Sequence, residues 1–313
     1  MSVALIFPGQ GSQNVGMGKD LYANYSSAKA VFQEVDDSLS QNLSSIIFNG
    51  SEEELTLTEN AQPAIMAVSI ALMNILVKDF SFNIKSKVLM CAGHSLGEYT
   101  ALAATACLNI GETARLLKAR GLSMQKAVAK GKGAMAALIG PNIEQVEEIL
   151  KNLPDNLVCE IANHNTESQT VISGDTSAVD NVIQFCQSNK IRAVKLVVSA
   201  PFHCSLMNKT AEELKLLFEE IVFNPPITSV VSNYTAKTPA NIEDLKNNLI
   251  KQTYSTVKWY DSINFMIKSG VKNFCEIGNG KVLTGIIKRI NKNVGVYNIE
   301  SYRDIENVLE VIE

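Results

Sequence analysis

Short apolar runs alternate with longer segments of helical periodicity over residues 1–130. The runs at 3–7 and 88–92 are bounded by turn residues and read as buried strands, while the segment 61–79 between them, apolar almost all round, reads as a buried helix. Residues 113–128 give an amphipathic helix that carries Arg115, Lys118 and Arg120 ahead of Gly121. Strands alternating with helices in this way predict a parallel sheet covered by helices.

From Gly133 the rhythm changes to strand 134–139, helix 143–152, strands 157–163 and 169–173, helix 177–188 and strand 192–198. That βαββαβ order is the split, ferredoxin-like unit, bounded here by Gly131-Lys132-Gly133 and Pro201. Beyond it, helices at 206–220, 242–252 and 259–269 alternate with strands at 229–233, 273–277 and 295–299. The economical expectation is an α/β domain built from residues 1–130 and 199–313, interrupted by a small domain at 131–198 that faces its cleft.

Composition narrows the possible partners. A net charge of -4 supplies no global positive field for nucleic acid or an anionic membrane. The six cysteines are dispersed without C-x-x-C spacing, which predicts reduced core thiols of a cytoplasmic protein and neither a disulfide frame nor a metal site. The N-terminus lacks a basic leader, and the longest apolar segment, 64–77, is interrupted by Ser69 and Asn74 and falls short of a bilayer span. Nothing in the pattern demands an oligomeric partner, so a monomer is expected.

The most specific chemistry lies directly behind the second strand, in Gly93-His94-Ser95-Leu96-Gly97. Glycines two residues either side of a serine permit a strained strand-to-helix turn that lifts the hydroxyl, and the following helix points its free amides at the same place. A nucleophilic serine needs a base, and only His94, His164 and His203 are available. His94 lies inside the turn and reads as packing or hydrogen bonding that shapes it. His164, in Asn163-His164-Asn165, reads as a loop or surface histidine. His203 follows the small domain where the chain re-enters the cleft edge, so it is either the base or a merely buried histidine.

A third triad member is hard to place, because Asp155, Asp175 and Asp180, the aspartates between Ser95 and His203, all fall in the insertion. A backbone carbonyl that accepts from the second ring nitrogen would orient the imidazole equally well. The first loop, Pro8-Gly9-Gln10-Gly11-Ser12-Gln13, opens at the strand edge where α/β sheets hold their sites, and matches neither G-x-G-x-x-G nor a Walker loop. Its glycines let Gln10 approach a substrate. His94 and Glu98 have helical spacing but no third ligand, which argues against a metal. Arg120 is either a solvated helix end or a clamp for a carboxylate.

Taken together, Phe7-Pro8-Gly9-Gln10-Gly11-Ser12-Gln13, Gly93-His94-Ser95-Leu96-Gly97-Glu98-Tyr99, Arg120-Gly121, Pro201-Phe202-His203, Gln252 and Glu276-Ile277-Gly278-Asn279-Gly280 resemble the malonyl-coenzyme A:acyl carrier protein transacylase family of type II fatty acid biosynthesis. The resemblance runs the length of the chain. It implies a hydrolase-like parallel-sheet domain with the ferredoxin-like insertion, Ser95 as nucleophile, His203 as base and the Gln252 main-chain carbonyl as its orienting acceptor. Gln10 and Leu96 would supply oxyanion donors, and Arg120 would pair with the malonyl carboxylate. Malonyl-CoA is the implied substrate, with no bound cofactor, and an acidic, phosphopantetheinylated acyl carrier protein is the implied partner. Phe202 suits malonyl over methylmalonyl groups. Asn279 departs from the proline of many relatives but lies outside the implied catalytic set. The clusters Lys190, Arg192, Lys195 and Lys281, Lys288, Arg289 are the basic patches available for carrier docking. A thioesterase with the same elbow, or a scaffold without turnover, are the competing readings.

Overall fold

Strand β1 (Val3–Phe7) is five apolar residues with no solvent exposure, the composition of a strand covered on both faces. In the computed structural model, which describes residues 2–154, 156–198 and 200–312, β1 lies at the centre of a five-stranded parallel sheet. Met1, Asp155, Ser199 and Glu313 lie outside the described residues; among them are one candidate acid and one edge of the expected insertion. The sheet order is β7-β2-β1-β8-β9, formed with β2 (Val88–Gly93), β7 (Ser229–Val230), β8 (Asn273–Ile277) and β9 (Gly295–Ile299).

Alternation along β1 divides the core. Val3, Leu5 and Phe7 join a large cluster with the helices Ser26–Leu39, Thr58–Asn74 and Ile110–Ala127, whereas Ala4 and Ile6 meet Trp259, Ile263 and Ile287 on the opposite face. The sequence pattern therefore places this sheet correctly. The buried helix expected at 61–79 begins three residues earlier: Thr58–Asn74 runs on through a π-helical turn, Ile75–Asp79. Its 22 residues are long and apolar enough to cross a bilayer by length and composition. However, 89% of its apolar window is buried inside the protein, wrapped by neighbouring helices.

The second sheet contains β3 (Gly133–Ile139), β4 (Cys159–Thr166), β5 (Gln169–Asp175) and β6 (Arg192–Lys195), in the antiparallel order β4-β5-β3-β6. With the helices Ile143–Leu150 and Thr176–Ser188, this is the ferredoxin-like order that the spacing predicted. One face of the sheet packs on its own two helices through Ala136, Leu138, Val146 and Val179. The other face contributes Met135, Ala137 and Val171 to a cluster with Met124, Phe202 and Met207 of the larger unit. A parallel bridge, Asn163 to Val257, links strand β4 to that unit.

Two expected strands are shorter than 229–233 and 192–198. β7 keeps two residues, after which Val231 still donates to Cys91 O but Ser232 turns to bond Lys237 O. β6 ends at Lys195, and Val197 stands fully exposed beyond it.

Candidate active site

The parallel register pairs Phe7 with Gly93, so the first loop and the serine turn leave the same edge of the sheet side by side. Ser95 takes φ 55° and ψ -108°, a conformation that non-glycine residues avoid. Its neighbours make the turn possible. A Cβ on Gly93 would sit 1.9 Å from the Gly97 carbonyl, and one on Gly97 would sit 2.3 Å from Phe7 O. Gly93→Ala or Gly97→Ala should therefore lower the thermal midpoint by roughly 2–5 °C, the scale of core overpacking in a chain this size. A melting curve that matches the native one would show that the turn can relax.

Ser95 Oγ lies 2.7 Å from His203 Nε2, and His203 Nδ1 donates to the Gln252 carbonyl at 2.8 Å. The imidazole thus has a backbone acceptor in place of a carboxylate. His203 also has positive φ, 60°, so both partners of the pair are held in left-handed backbone. Burial, with the Arg120 charge adding to it, pushes the His203 pKa down to about 3. The ring is therefore neutral, as a base must be. The ¹⁵N shifts of His203 should stay those of neutral imidazole at pH 5.5, where an exposed histidine with a pKa of about 6.5 is mostly charged. A protonated signal there would contradict the burial argument. The same depression costs stability as pH falls from 6.5 towards 3, because there only the unfolded chain takes up the proton.

Arg120 is 1% exposed, which excludes the solvated-end reading. Its Nη1 donates to Gln62 Oε1 at 2.8 Å, and its Nη2 donates to Ser95 Oγ at 3.1 Å and Gln252 Oε1 at 3.0 Å. The guanidinium also lies 5.4 Å from the Tyr99 ring centroid. Among the described residues it forms no ion pair with a carboxylate, and its Nε has no partner. A desolvated cation beside a serine hydroxyl, hydrogen-bonded only to neutral acceptors, has the chemistry to pair with an anionic group.

The backbone N–H groups of Gln10 and Leu96 have no hydrogen-bond partner among the described residues, and both residues line the same cleft as Ser95. That cleft, ≈ 310 Å³, is also lined by Arg120, Phe202 and His203. All six residues singled out for chemistry, Ser95, His203, Gln252, Gln10, Leu96 and Arg120, are thus gathered at one place. His94 packs 5.5 Å from Trp259 and bonds Asn165 Oδ1 through Nε2 at 3.0 Å, a role in shaping the turn as expected. His164 is a correction: it lies in β4, is buried, packs at a tilt against Tyr260 and reaches Asp261 Oδ2 at 3.5 Å, so it is no loop or surface histidine.

Three residues that the motifs did not single out for chemistry complete the site. Gln62 holds Arg120. Asn233 accepts from the Ser95 N–H at 2.7 Å. Glu98, buried, accepts through Oε2 from the Asn233 N–H at 3.0 Å and from Gln252 Nε2 at 2.9 Å. Burial pushes the Glu98 pKa up to about 7, against the pull of these donors and of Arg120. Among the described residues there is no group of three side chains suited to a metal ion.

A hydroxyl held by a neutral imidazole on a strained strand-to-helix turn, roofed by an inserted ferredoxin-like sheet, defines the class of α/β acyl-transfer proteins with a nucleophile elbow. The family described as "Acyl transferase domain" matches residues 4–304. The chain belongs to the malonyl CoA-acyl carrier protein transacylase family within that class. It is 39% identical to the Bacillus subtilis malonyl CoA-acyl carrier protein transacylase over 319 residues, covering 99% of this chain and 97% of the relative. It is similar in structure to the acyl-carrier-protein-S-malonyltransferase of Bartonella henselae, with TM-score 0.97, 43% identity and coverage of 100% and 99% of the two chains. A malonyl-transacylase solved in complex with its type II PKS acyl-carrier protein aligns at TM-score 0.95 and 34% identity, covering 99% of this chain and 100% of that one.

Proposed function

We propose that the protein is an acyl-carrier-protein S-malonyltransferase, moving malonyl from coenzyme A to the phosphopantetheine thiol of an acyl carrier protein for fatty acid biosynthesis. The observation that carries this reading is the buried, carboxylate-free Arg120 guanidinium 3.1 Å from a serine hydroxyl that His203 already holds. In the first half-reaction Ser95 Oγ attacks the thioester carbonyl while His203 Nε2 takes its proton. The oxyanion forms toward the N–H groups of Gln10 and Leu96; in enzymes generally one such donor is worth roughly 100–1000-fold in rate. The carbon–sulfur bond breaks, and coenzyme A leaves as a thiol with the proton from His203. In the second half the carrier thiol gives its proton to His203, attacks the serine ester and regenerates the Ser95 hydroxyl. Thioester exchanges for thioester, so the chemistry is near balance and is complete without a cofactor.

Arg120 would pair with the malonyl carboxylate, exchanging its bonds to Ser95 and Gln252 for the bidentate partner that it lacks. The division into 1–130 with 199–313 and an insertion at 131–198 suits this mechanism, because the cleft lies where the two sheets meet. What supports the division is that, among the described residues, the two sheets share no ladder. A monomer suffices, since every residue of the mechanism comes from one chain. Cytoplasmic residence fits six cysteines that are all free.

Mixing the protein with malonyl- or acetyl-CoA, recording intact mass and then adding carrier protein tests the reading. A malonyl adduct that moves to the carrier supports the transacylase; an adduct that only hydrolyses would indicate a thioesterase, and no adduct a scaffold. Each basic cluster is joined by the chain to the cleft wall at one end. Leu196 and Val198, just beyond Lys195, line it, and Asn279 bonds Ser12 of the first loop two residues before Lys281. Charge reversal at Lys281, Lys288 and Arg289 should raise the carrier KM about tenfold or more at low salt and leave acylation by malonyl-CoA intact. An unchanged KM would remove this patch from the docking surface.

A further inference from the structure

The strained serine is held from beneath by residues that take no part in the reaction above. Asn233 Oδ1 accepts from the Ser95 N–H at 2.7 Å, and Asn233 Nδ2 donates to the Gly93 carbonyl at 2.8 Å, so one amide spans the elbow. The Asn233 N–H in turn donates to Glu98 Oε2, which also accepts from Gln252 Nε2. Gln252 Nε2 donates to Ser95 O at 2.9 Å, and the Gln252 carbonyl orients His203. Hydrogen bonds therefore run in a closed ring from Ser95 through Asn233, Glu98 and Gln252 to His203 and back to Ser95 Oγ. Asn233 and Gln252 are fully buried and Glu98 nearly so, which keeps these links out of bulk solvent.

We infer that Asn233 and Glu98 are positioning residues for the nucleophile and its base: Asn233 pins the elbow, and the Glu98 carboxylate ties that pin to the Gln252 support of His203. This rests on the reading of Ser95 as nucleophile. Two consequences follow from the geometry. The Ser95 amide is occupied by Asn233 and is not an oxyanion donor, which leaves that task to Gln10 and Leu96. The site does contain a buried acid, but its influence on the histidine passes through a glutamine side chain.

The experiment uses the full chain and two readouts: the rate at which a fluorophosphonate labels Ser95, and kcat and KM for malonyl transfer. Asn233→Ala should slow labelling and kcat roughly 100-fold, the scale of a 1 Å misplacement, with KM for malonyl-CoA within about threefold of native. Glu98→Gln keeps the shape and one acceptor oxygen, so it should fold, slow both rates roughly tenfold and leave KM in place. The double variant should cost less than the product of the two, because both changes break one ring. Native rates in either variant, or effects that multiply independently, overturn the inference. If the native protein labels normally but transfers no malonyl group, the functional reading fails while the labelling rates still decide this one.

Discussion

Ser95→Ala is expected to abolish the malonyl adduct and to lower transfer by a factor on the order of 10⁶, the loss seen when a serine or its histidine is removed from a unit of this kind. The expectation follows from the 2.7 Å contact to His203 Nε2 and from the position of Ser95 in the cleft. His203→Ala should fall almost as far, since an unassisted serine hydroxyl is a poor nucleophile at neutral pH. Neither change empties a packed core, so both variants should melt close to the native midpoint. Intact mass after incubation with malonyl-CoA is the measurement. An adduct that survives in Ser95→Ala would move the nucleophile elsewhere and dismantle the mechanism.

Arg120→Ala is expected to reduce malonyl kcat/KM by roughly 30- to 4,000-fold, the equivalent of about 2–5 kcal/mol for unpairing a desolvated carboxylate. Acetyl transfer, which has no carboxylate to pair, should fall much less. The informative quantity is therefore the ratio of the two rates, measured side by side on the native protein and the variant. An equal fall would make Arg120 a support for Gln62 and Gln252, the neutral groups to which it also donates.

The parts of this site that could be read from the chain are those whose signal is local. Gly93, Ser95 and Gly97 announce the elbow because the steric demand of the turn falls on the residues that make it. The βαββαβ order is legible for a similar reason, since the periodicity of each element and the turns between them are local signals, even though β3 pairs with the distant β5 and β6. Asn233 left no such trace. It reaches Ser95 across 138 positions only because β7 pairs with β2 for two residues and then turns beneath the elbow. Arg120 was ambiguous because helical periodicity does not distinguish a buried cation from an exposed one, and the acceptor that receives it, Gln62, lies 58 positions away. His164 misled through its polar neighbours, for β4 carries Asn163, His164 and Asn165 into the interior, where Tyr260 and Asp261 receive the ring. Two short helices between residues 43 and 56 escaped the pattern because they are signalled more by caps than by periodicity, whereas the 14-residue helix Ser26–Leu39 does carry a helical stripe, Ala28, Val31, Phe32 and Val35, that was passed over. Ser51 accepts from the Glu54 N–H, and Asn42 accepts from the Ser45 N–H.

Gln252 binds with every polar group of its side chain and with its own carbonyl: to the guanidinium, the buried acid, the nucleophile's backbone and the imidazole. On the proposed mechanism, speed and choice of acyl group would therefore hang on one strut. A carboxylate that drew Arg120 away would strip Gln252 Oε1 of its donor at the moment His203 must be held most firmly, so substrate recognition would be felt by the base without any movement of the fold. Attempts to widen acyl tolerance at Arg120 will meet this linkage, and the second change that restores turnover belongs at Gln252 or at the groups it joins, not on the wall of the cleft.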